Sequence, residues 1–577
     1  MNKQKNKNKR KNNEGMAILV ALIFIVVAVI ALTALSARLM QQTKMVDRYQ
    51  DFKDCFQGLE AAVAQSSLAV EAQEKGIIGL EDWTPTYNED DSIALPDFDE
   101  DVAAPEALLT MPDVEYMAYA IDWYTDGLDN NGNGLVDEDA EALQYTIYAA
   151  AKKNDTMRKV EIVYDKQDVN VWRNAIFAGS GQAGGLINGN VSIHGAVHLL
   201  GENLVFGASA ISALELSGTS LIHNNYEGLD ADLRARVPAL PQALFEGQVV
   251  DTLEANLRVR NGLVALSGNS EIGEVQDDTN DFKETMDGTF VNDGWTGNSV
   301  TPDGDRGDPT SVQSDNGWDE NYDLGDRVPF PTLADDWQEP VTGTKIMDPE
   351  TGTWYTHEDY FTEVLLADEV DQNDGTYNGD IVLNARGDDY YWNASTGEEL
   401  TGNDVASATP DLNNDDFILF DATANMLTMN GQIEINGNLE FIGRGSDTTI
   451  NYTGRAAILV QGDVTIDTDL LSCNNGDKND TANSFPANNI IGLMAKGNMY
   501  VGSTSQLQIM GAFYAEQMIR SEKQTDIMGT FVSSYFDMGT NVPSIYQVPD
   551  LADWLPRGMI GNYPIYSMVP MSWREIR

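Results

Sequence analysis

Residues 126 to 139 read Asp126-Gly127-Leu128-Asp129-Asn130-Asn131-Gly132-Asn133-Gly134-Leu135-Val136-Asp137-Glu138-Asp139. Oxygen-bearing side chains alternate at Asp129, Asn131 and Asn133, so a turn through them aims their oxygens at one centre. Gly134 permits the sharp bend that follows. The backbone carbonyl of Leu135 comes next, Asp137 after it, and Glu138 or Asp139 completes a shell of hard oxygen ligands. That donor set suits calcium. Ala140 stands where the longer, helix-flanked calcium loops carry a bidentate glutamate, and no helices flank this loop, so the pattern is that of the shorter loops of extracellular proteins. The alternative is a polar Asn/Gly hairpin that holds no ion.

Little else in the chain is typed for chemistry. The histidines are His194, His198, His223 and His357. His194 and His198 are four apart, but their strand-like surroundings do not give the helical spacing of a zinc pair. No HExxH, GxSxG, P-loop or paired-cysteine motif occurs. Cys55 and Cys473 lie in different regions and need not pair. The expectation is a chain with no catalytic residues and no enzymatic activity.

The elements that carry these residues are announced by charge. The chain has 35 basic and 91 acidic residues, a formal charge of -56. Such a surface repels phosphates, which argues against nucleic acid and for cations or solubility outside a cell. Residues 1–15 run the other way. Lys3, Lys5, Lys7, Lys9, Arg10 and Lys11 against Glu14 give +5, which leaves -56 - 5 = -61 for the rest.

After that basic tip, residues 16–37 contain neither a charge nor a proline. As a helix they span roughly 33 Å, enough to cross a bilayer. The basic flank places the N-terminus in the cytoplasm and the acidic remainder outside. The apolar positions Val46, Tyr49, Phe56, Leu59 and Val63 suggest one face of a helical extension ending near Gly76.

Gly15 separates the basic leader from the apolar run. The leader, that glycine, Met16-Ala17-Ile18-Leu19-Val20-Ala21-Leu22, and the later Phe56-Gln57-Gly58-Leu59-Glu60-Ala61-Ala62 together resemble a class III prepilin signal. They are similar to the PilX N-terminal family of type IV pilus assembly proteins, over about residues 8–66. The resemblance implies that a prepilin peptidase cuts after Gly15 and that Met16 becomes the mature N-terminus. Major pilins of that kind carry glutamate at the fifth mature position, where it neutralises a neighbour's N-terminal amine. This chain has Val20 there. That departure fits minor pilins and the tip pseudopilins of type II secretion better than a repeating shaft subunit.

Residues 77–113 read as an acidic, proline-containing linker. Strand patterns follow at 114–124, 143–152 and 157–164, with Lys153-Asn154-Asp155 as a hairpin turn. A long helix followed by an antiparallel sheet is the plan of pilin-like domains. From Trp172 onward, short strands alternate with Gly/Asn turns. The phrases Asn188-Gly189-Asn190-Val191-Ser192-Ile193, Asn436-Gly437-Asn438-Leu439-Glu440-Phe441, Gln461-Gly462-Asp463-Val464-Thr465-Ile466 and Lys496-Gly497-Asn498-Met499-Tyr500-Val501 each enter a short alternating strand. The last three are 25 and 35 residues apart. That spacing suits a right-handed parallel β-helix or related solenoid, with a β-sandwich as the alternative.

The expected organisation is a leader (1–15), a transmembrane and amphipathic helix (16–76), a pilin-like α+β domain with the calcium loop (77–170), and a first solenoid part (171–270). An acidic insertion (271–416) and a second solenoid part with a C-terminal tail (417–577) follow. A composition of 42% hydrophobic residues is enough for two to four cores. The part from residue 77 is expected to fold without the helix. With the resemblance, these features imply a minor-pilin-like surface subunit of a type IV pilus or secretion pseudopilus, displaying its acidic β region for assembly or adhesion. Its implied partners are other pilin or pseudopilin subunits, the inner membrane, the prepilin peptidase and calcium. The alternative is a membrane-tethered β-helix enzyme acting on polysaccharide, which would need a carboxylate-lined cleft with a protruding Arg or Lys.

Overall fold

The computed structural model describes residues 3–71, 76–78, 86–87, 93–94, 106–108, 111–123, 144–180, 191–202, 204, 212–245, 247–277, 279–297, 311–317, 321–325, 327–339, 344–366, 376–412, 415–503, 506–521, 523–538, 543–563 and 565–576. The chain divides into two compact units. One comprises Met1–Gln167 and Tyr566–Arg577, the other Asp168–Ile565.

In the first unit a single helix runs from Lys3–Glu71. Its C-terminal part lies on a five-stranded sheet made by Glu106–Leu108, Met111–Asp122, Gln144–Lys153, Thr156–Asp168 and Tyr566–Ile576. The first four strands pair antiparallel in chain order. Asn154 and Asp155 form the expected tight turn, with Asn154 at φ +52°. Residues 566–576, expected in the tail of the second solenoid part, are instead the fifth strand of this sheet. Its pairing is non-local, so no nearby turn signals it.

The second unit is a stack of parallel strands. Ile450, Leu470, Ile509, Ile527, Ile545, Ile193, Ile222, Ile272 and Val312 are successive parallel partners. All of them are buried. A second ladder runs through Ile433, Ile458, Leu493, Phe513, Phe531, Ile176, Val197 and Leu257. A third joins Ile381, Leu439, Val464, Met499, Ile519 and Phe536. The expected parallel stacking is therefore present, and the described strands of these ladders form a parallel stack rather than the alternative sandwich. Each coil offers an aliphatic or aromatic side chain to the same interior row, and strands stacked about 4.8 Å apart bring those rows into contact. The recurring phrases at 436, 461 and 496 set this register, because they put Leu439, Val464 and Met499 at the same place in consecutive coils.

The order of coils is not the order of the chain. The block that begins at Ile176 stacks onto the end of the block that finishes at Tyr546, through Phe531 against Ile176 and Ile545 against Ile193. The chain must then travel back along the stack, and the described residues between 321 and 366 lie along it. Arg258 meets Asp323 at 3.0 Å, Phe330 stacks on Phe177 and Tyr514, and Lys496 meets Glu358 at 2.6 Å. The region expected as an insertion is thus this return strap plus working strands at Glu271–Ile272, Gly288–Val291 and Ile381–Asn384. Antiparallel strands Tyr390–Asn393, Glu398–Thr401 and Phe417–Asp421 end the parallel run and cover one edge of it.

Candidate functional site

The N-terminal helix has two chemically distinct parts. From Leu19 to Gln50 every side chain is exposed. Among the described residues this is the one helix long and apolar enough to cross a membrane. From residue 54 onward one face is buried. Cys55, Leu59, Ala62, Val63, Ser66 and Val70 recur at helical spacing and are covered. Cys55, Leu59, Ala62 and Val63 share a core with Tyr116, Ala118, Ile147, Ala149, Ala151, Val160 and Ile162 of the sheet.

Two expectations change here. The packed face begins at Cys55, while Val46, Tyr49 and Phe56 are exposed, because the sheet reaches only the last turns of the helix. Phe52 and Phe56 instead hold the guanidinium of Arg158 at 4.0 and 5.1 Å. The helix also supplies core to the sheet, a contribution that the expectation of an independent fold from residue 77 left out.

Gly58 shows how close this contact is. A Cβ there would lie 2.9 Å from Ala151 Cβ and 2.9 Å from Val114 Cγ1. Lys153 ties the two layers electrically, with its Nζ 2.8 Å from Asp54 on the helix and 2.9 Å from Asp113 on the sheet. Hydrogen bonds to Asp54 and Asp113 raise the Lys153 pKa, and the Lys153 bond lowers that of Asp113. The backbone of Gly15 and Met16 is helical, and the described side chains begin beyond them.

The calcium-type loop, with Asp129, Asn131, Asn133, Leu135, Asp137, Glu138 and Asp139, lies outside the described residues. Its flanks do not. Asp122 and Tyr145 are antiparallel partners, so the loop joins two strands already paired at its base.

Three histidines behave as core residues. His194 bonds Asn225 O and Ser192 Oγ, each at 2.8 Å. Its ring is sandwiched between His223, 4.4 Å away, and Tyr546, 4.3 Å away. Burial, then the neighbouring His223, hold the His194 pKa well below the usual histidine range. His198 pairs with the Tyr322 hydroxyl, and burial depresses its pKa too. Burial brings His357 down to about 4. His223 differs, because its Nδ1 lies 3.0 Å from Glu274 Oε2 beside the exposed Glu227. Sequence spacing missed that trio, since Glu274 arrives from the next coil.

Both cysteines are unpaired and buried. Burial raises the Cys55 thiol and pushes that of Cys473 up to about 11, which makes both poor nucleophiles. A surface pocket of about 380 Å³ is lined by Asp469, Gln506, Leu507, Gln508, Gln524 and Asp526. Burial pushes Asp469 up to about 6 and raises Asp526.

No protein family matches this chain, and no curated protein does. Among solved structures it is similar to the crystal structure of the competence-associated pilin ComZ from Thermus thermophilus. The TM-score is 0.45 at 16% identity, over 92% of this chain and 97% of that one.

Proposed function

We propose that this chain is a minor-pilin-like surface subunit of a type IV pilus or related pseudopilus, processed after Gly15 and held first in the inner membrane with its N-terminus in the cytoplasm. The observation that carries the reading is the division of the helix at residue 54. The distal part grips a sheet, while residues 19–50 are exposed and those from 19 to 37 present an uncharged, apolar surface on all sides. So large an apolar surface requires a cover, which lipid supplies before assembly and neighbouring helices supply after it. The stacked acidic unit is the displayed part. We read it as a non-enzymatic β-helix for assembly or adhesion, and the loop at Asp129 to Asp139 as a calcium site on the anchoring unit. Mass spectrometry of the cellular protein should give Met16 as its N-terminus, and the chain should appear in sheared surface fibres. A mature chain beginning at Met1 and confined to membranes would overturn this reading in favour of a plain anchor.

A second reading, a tethered enzyme acting on polysaccharide, is favoured by one observation, the pocket between Asp469 and Asp526. Its lining carries carboxylates and amides but no Arg or Lys to counter an acidic sugar. Release of reducing ends from polysaccharide, abolished by Asp469→Asn, would favour it.

A further inference from the structure

We propose that His223, Glu227 and Glu274 bind a divalent first-row transition ion, with zinc as the reference ion. One ligand atom from each lies within 4.8 Å of the others. His223 is 5% exposed, yet its Nδ1 has no aligned hydrogen-bond partner. The 3.0 Å approach to Glu274 Oε2 is close without being aligned. A nitrogen and an oxygen that share one tetrahedral zinc at bond lengths of 2.0–2.2 Å stand about 3.3–3.6 Å apart, their lone pairs directed at the ion rather than at each other. The observed pair is a few tenths of an ångström closer than that, so loading an ion requires Glu274 to draw back slightly.

Each ligand is placed by the fold. Gly195 N donates to His223 O at 2.9 Å, and the His223 ring is stacked flat on His194, with 7° between the planes. Glu227 N donates to Asn225 Oδ1 at 2.9 Å, and Glu274 N donates to Glu284 O at 2.9 Å. His223 ends one strand and Glu274 follows the strand stacked on it, where Ile222 faces Ile272. An ion held by all three would clip adjacent coils together.

The donor set also selects the ion. One imidazole nitrogen with two carboxylates suits zinc, whereas calcium prefers oxygen alone. Two anionic ligands neutralise the ion, and exposed Glu227 leaves a side open for loading and for a bound water.

The test uses the full chain in detergent, stripped with a chelator and kept in excess calcium so that oxygen-only sites are filled. Zinc is titrated against a chromophoric chelator. The expected result is one equivalent bound at micromolar affinity or tighter, with a rise in melting temperature. Glu227→Gln and Glu274→Gln should each weaken that binding about tenfold or more. Cobalt in place of zinc should give visible bands that His223→Gln removes. If His223→Gln fails to fold, Glu227→Gln decides alone, because its side chain is exposed. Absence of the single tight equivalent, or Glu227→Gln binding as the wild type does, would overturn the site and leave a plain His223–Glu274 ion pair.

Discussion

Gln547 Oε1 accepts a hydrogen bond from the backbone N of Ala196 at 2.7 Å, across 351 residues of chain. The same amide donates to Arg173 O at 3.2 Å, and the Gln547 backbone N donates to His194 O at 2.8 Å. Gly195 sits at φ +133°, and a Cβ there would lie 2.4 Å from Gln547 Cβ. These contacts join the end of one block of coils to the start of the other, where the chain itself makes no link. Gln547→Leu should keep the volume and strand the Ala196 amide in a dry site. Leaving a buried polar group unpaired costs about 1–3 kcal/mol. The guanidinium midpoint should fall by that amount, whereas Gln506→Leu, whose exposed amide donates to Gln524 at 2.9 Å, should stay within about 0.5 kcal/mol. Equal shifts for the two would reject the seam.

That seam marks the limit of what the residue pattern discloses. The interior row from Ile450 to Ile272 is legible, because its strands alternate and several, those of Leu470, Ile222 and Ile272 among them, are entered through a Gly turn. The register of Leu439, Val464 and Met499 follows from the phrases that precede them. The junction of Ile545 with Ile193 does not, because nothing local distinguishes a strand that pairs onward from one that pairs back to the start. The described strap residues between 321 and 366 read as an acidic insertion since their buried anchors, such as Val328, Leu333 and Phe361, are set among polar residues with no strand period. Nor could the trio at His223 be found by spacing, as the offset to Glu274 depends on coil length. The helix–sheet plan was legible, and Leu59 and Val63 of the expected face do pack, but Val46, Tyr49 and Phe56 stay exposed because the sheet covers only the last turns of the helix.

Gly58 should tolerate no larger side chain. Helix propensity alone favours replacement by about 1 kcal/mol. Against that stand Ala151 Cβ and Val114 Cγ1, each 2.9 Å from the new Cβ, and neither is the end of a flexible side chain. Overpacking of this kind costs about 1–3 kcal/mol, so the steric effect wins for Gly58→Leu. Hydrogen exchange along Gln144–Lys153 should quicken in that variant and be unchanged in Gln57→Leu, one position away on the exposed side. Unchanged exchange in Gly58→Leu would mean that the helix does not lie on the sheet.

Calcium should raise the melting temperature of the anchoring unit. Without the ion the acids of the 129–139 loop repel one another between strands that pair at Asp122 and Tyr145. With it they share a ligand that binds only the folded loop. At one hundred times the dissociation constant the gain is about 2.7 kcal/mol. Full chain in detergent is compared with calcium and with chelator, beside an Asp129→Ala, Asp137→Ala double variant. Equal melting of the wild type in both conditions would leave the loop a polar turn.

Asp469 should make the stacked unit less stable as pH rises through the weakly acidic range. Its carboxylate is 6% exposed, accepts from Gln508 N at 2.9 Å and from Thr449 Oγ1 at 3.2 Å, and faces no cation in its pocket. Burial raises its pKa from 3.8 to about 6. Below pH 3.8 the folded and unfolded chains both hold the proton, and the site's contribution is at its most favourable. Between 3.8 and about 6 the unfolded chain releases the proton while the folded chain keeps it, so stability falls with rising pH. Above that window the loss is constant, on the order of 2–3 kcal/mol. Asp469→Asn removes the titration and keeps the contacts, since Oδ1 still accepts from Gln508 and Nδ2 can donate to Thr449. Guanidinium midpoints at about pH 4, 5, 6 and 7 isolate the effect from the other carboxylates. The variant should match the wild type near pH 4 and exceed it by pH 7. A difference between the two that does not change with pH would show that Asp469 is ionised in the folded chain throughout.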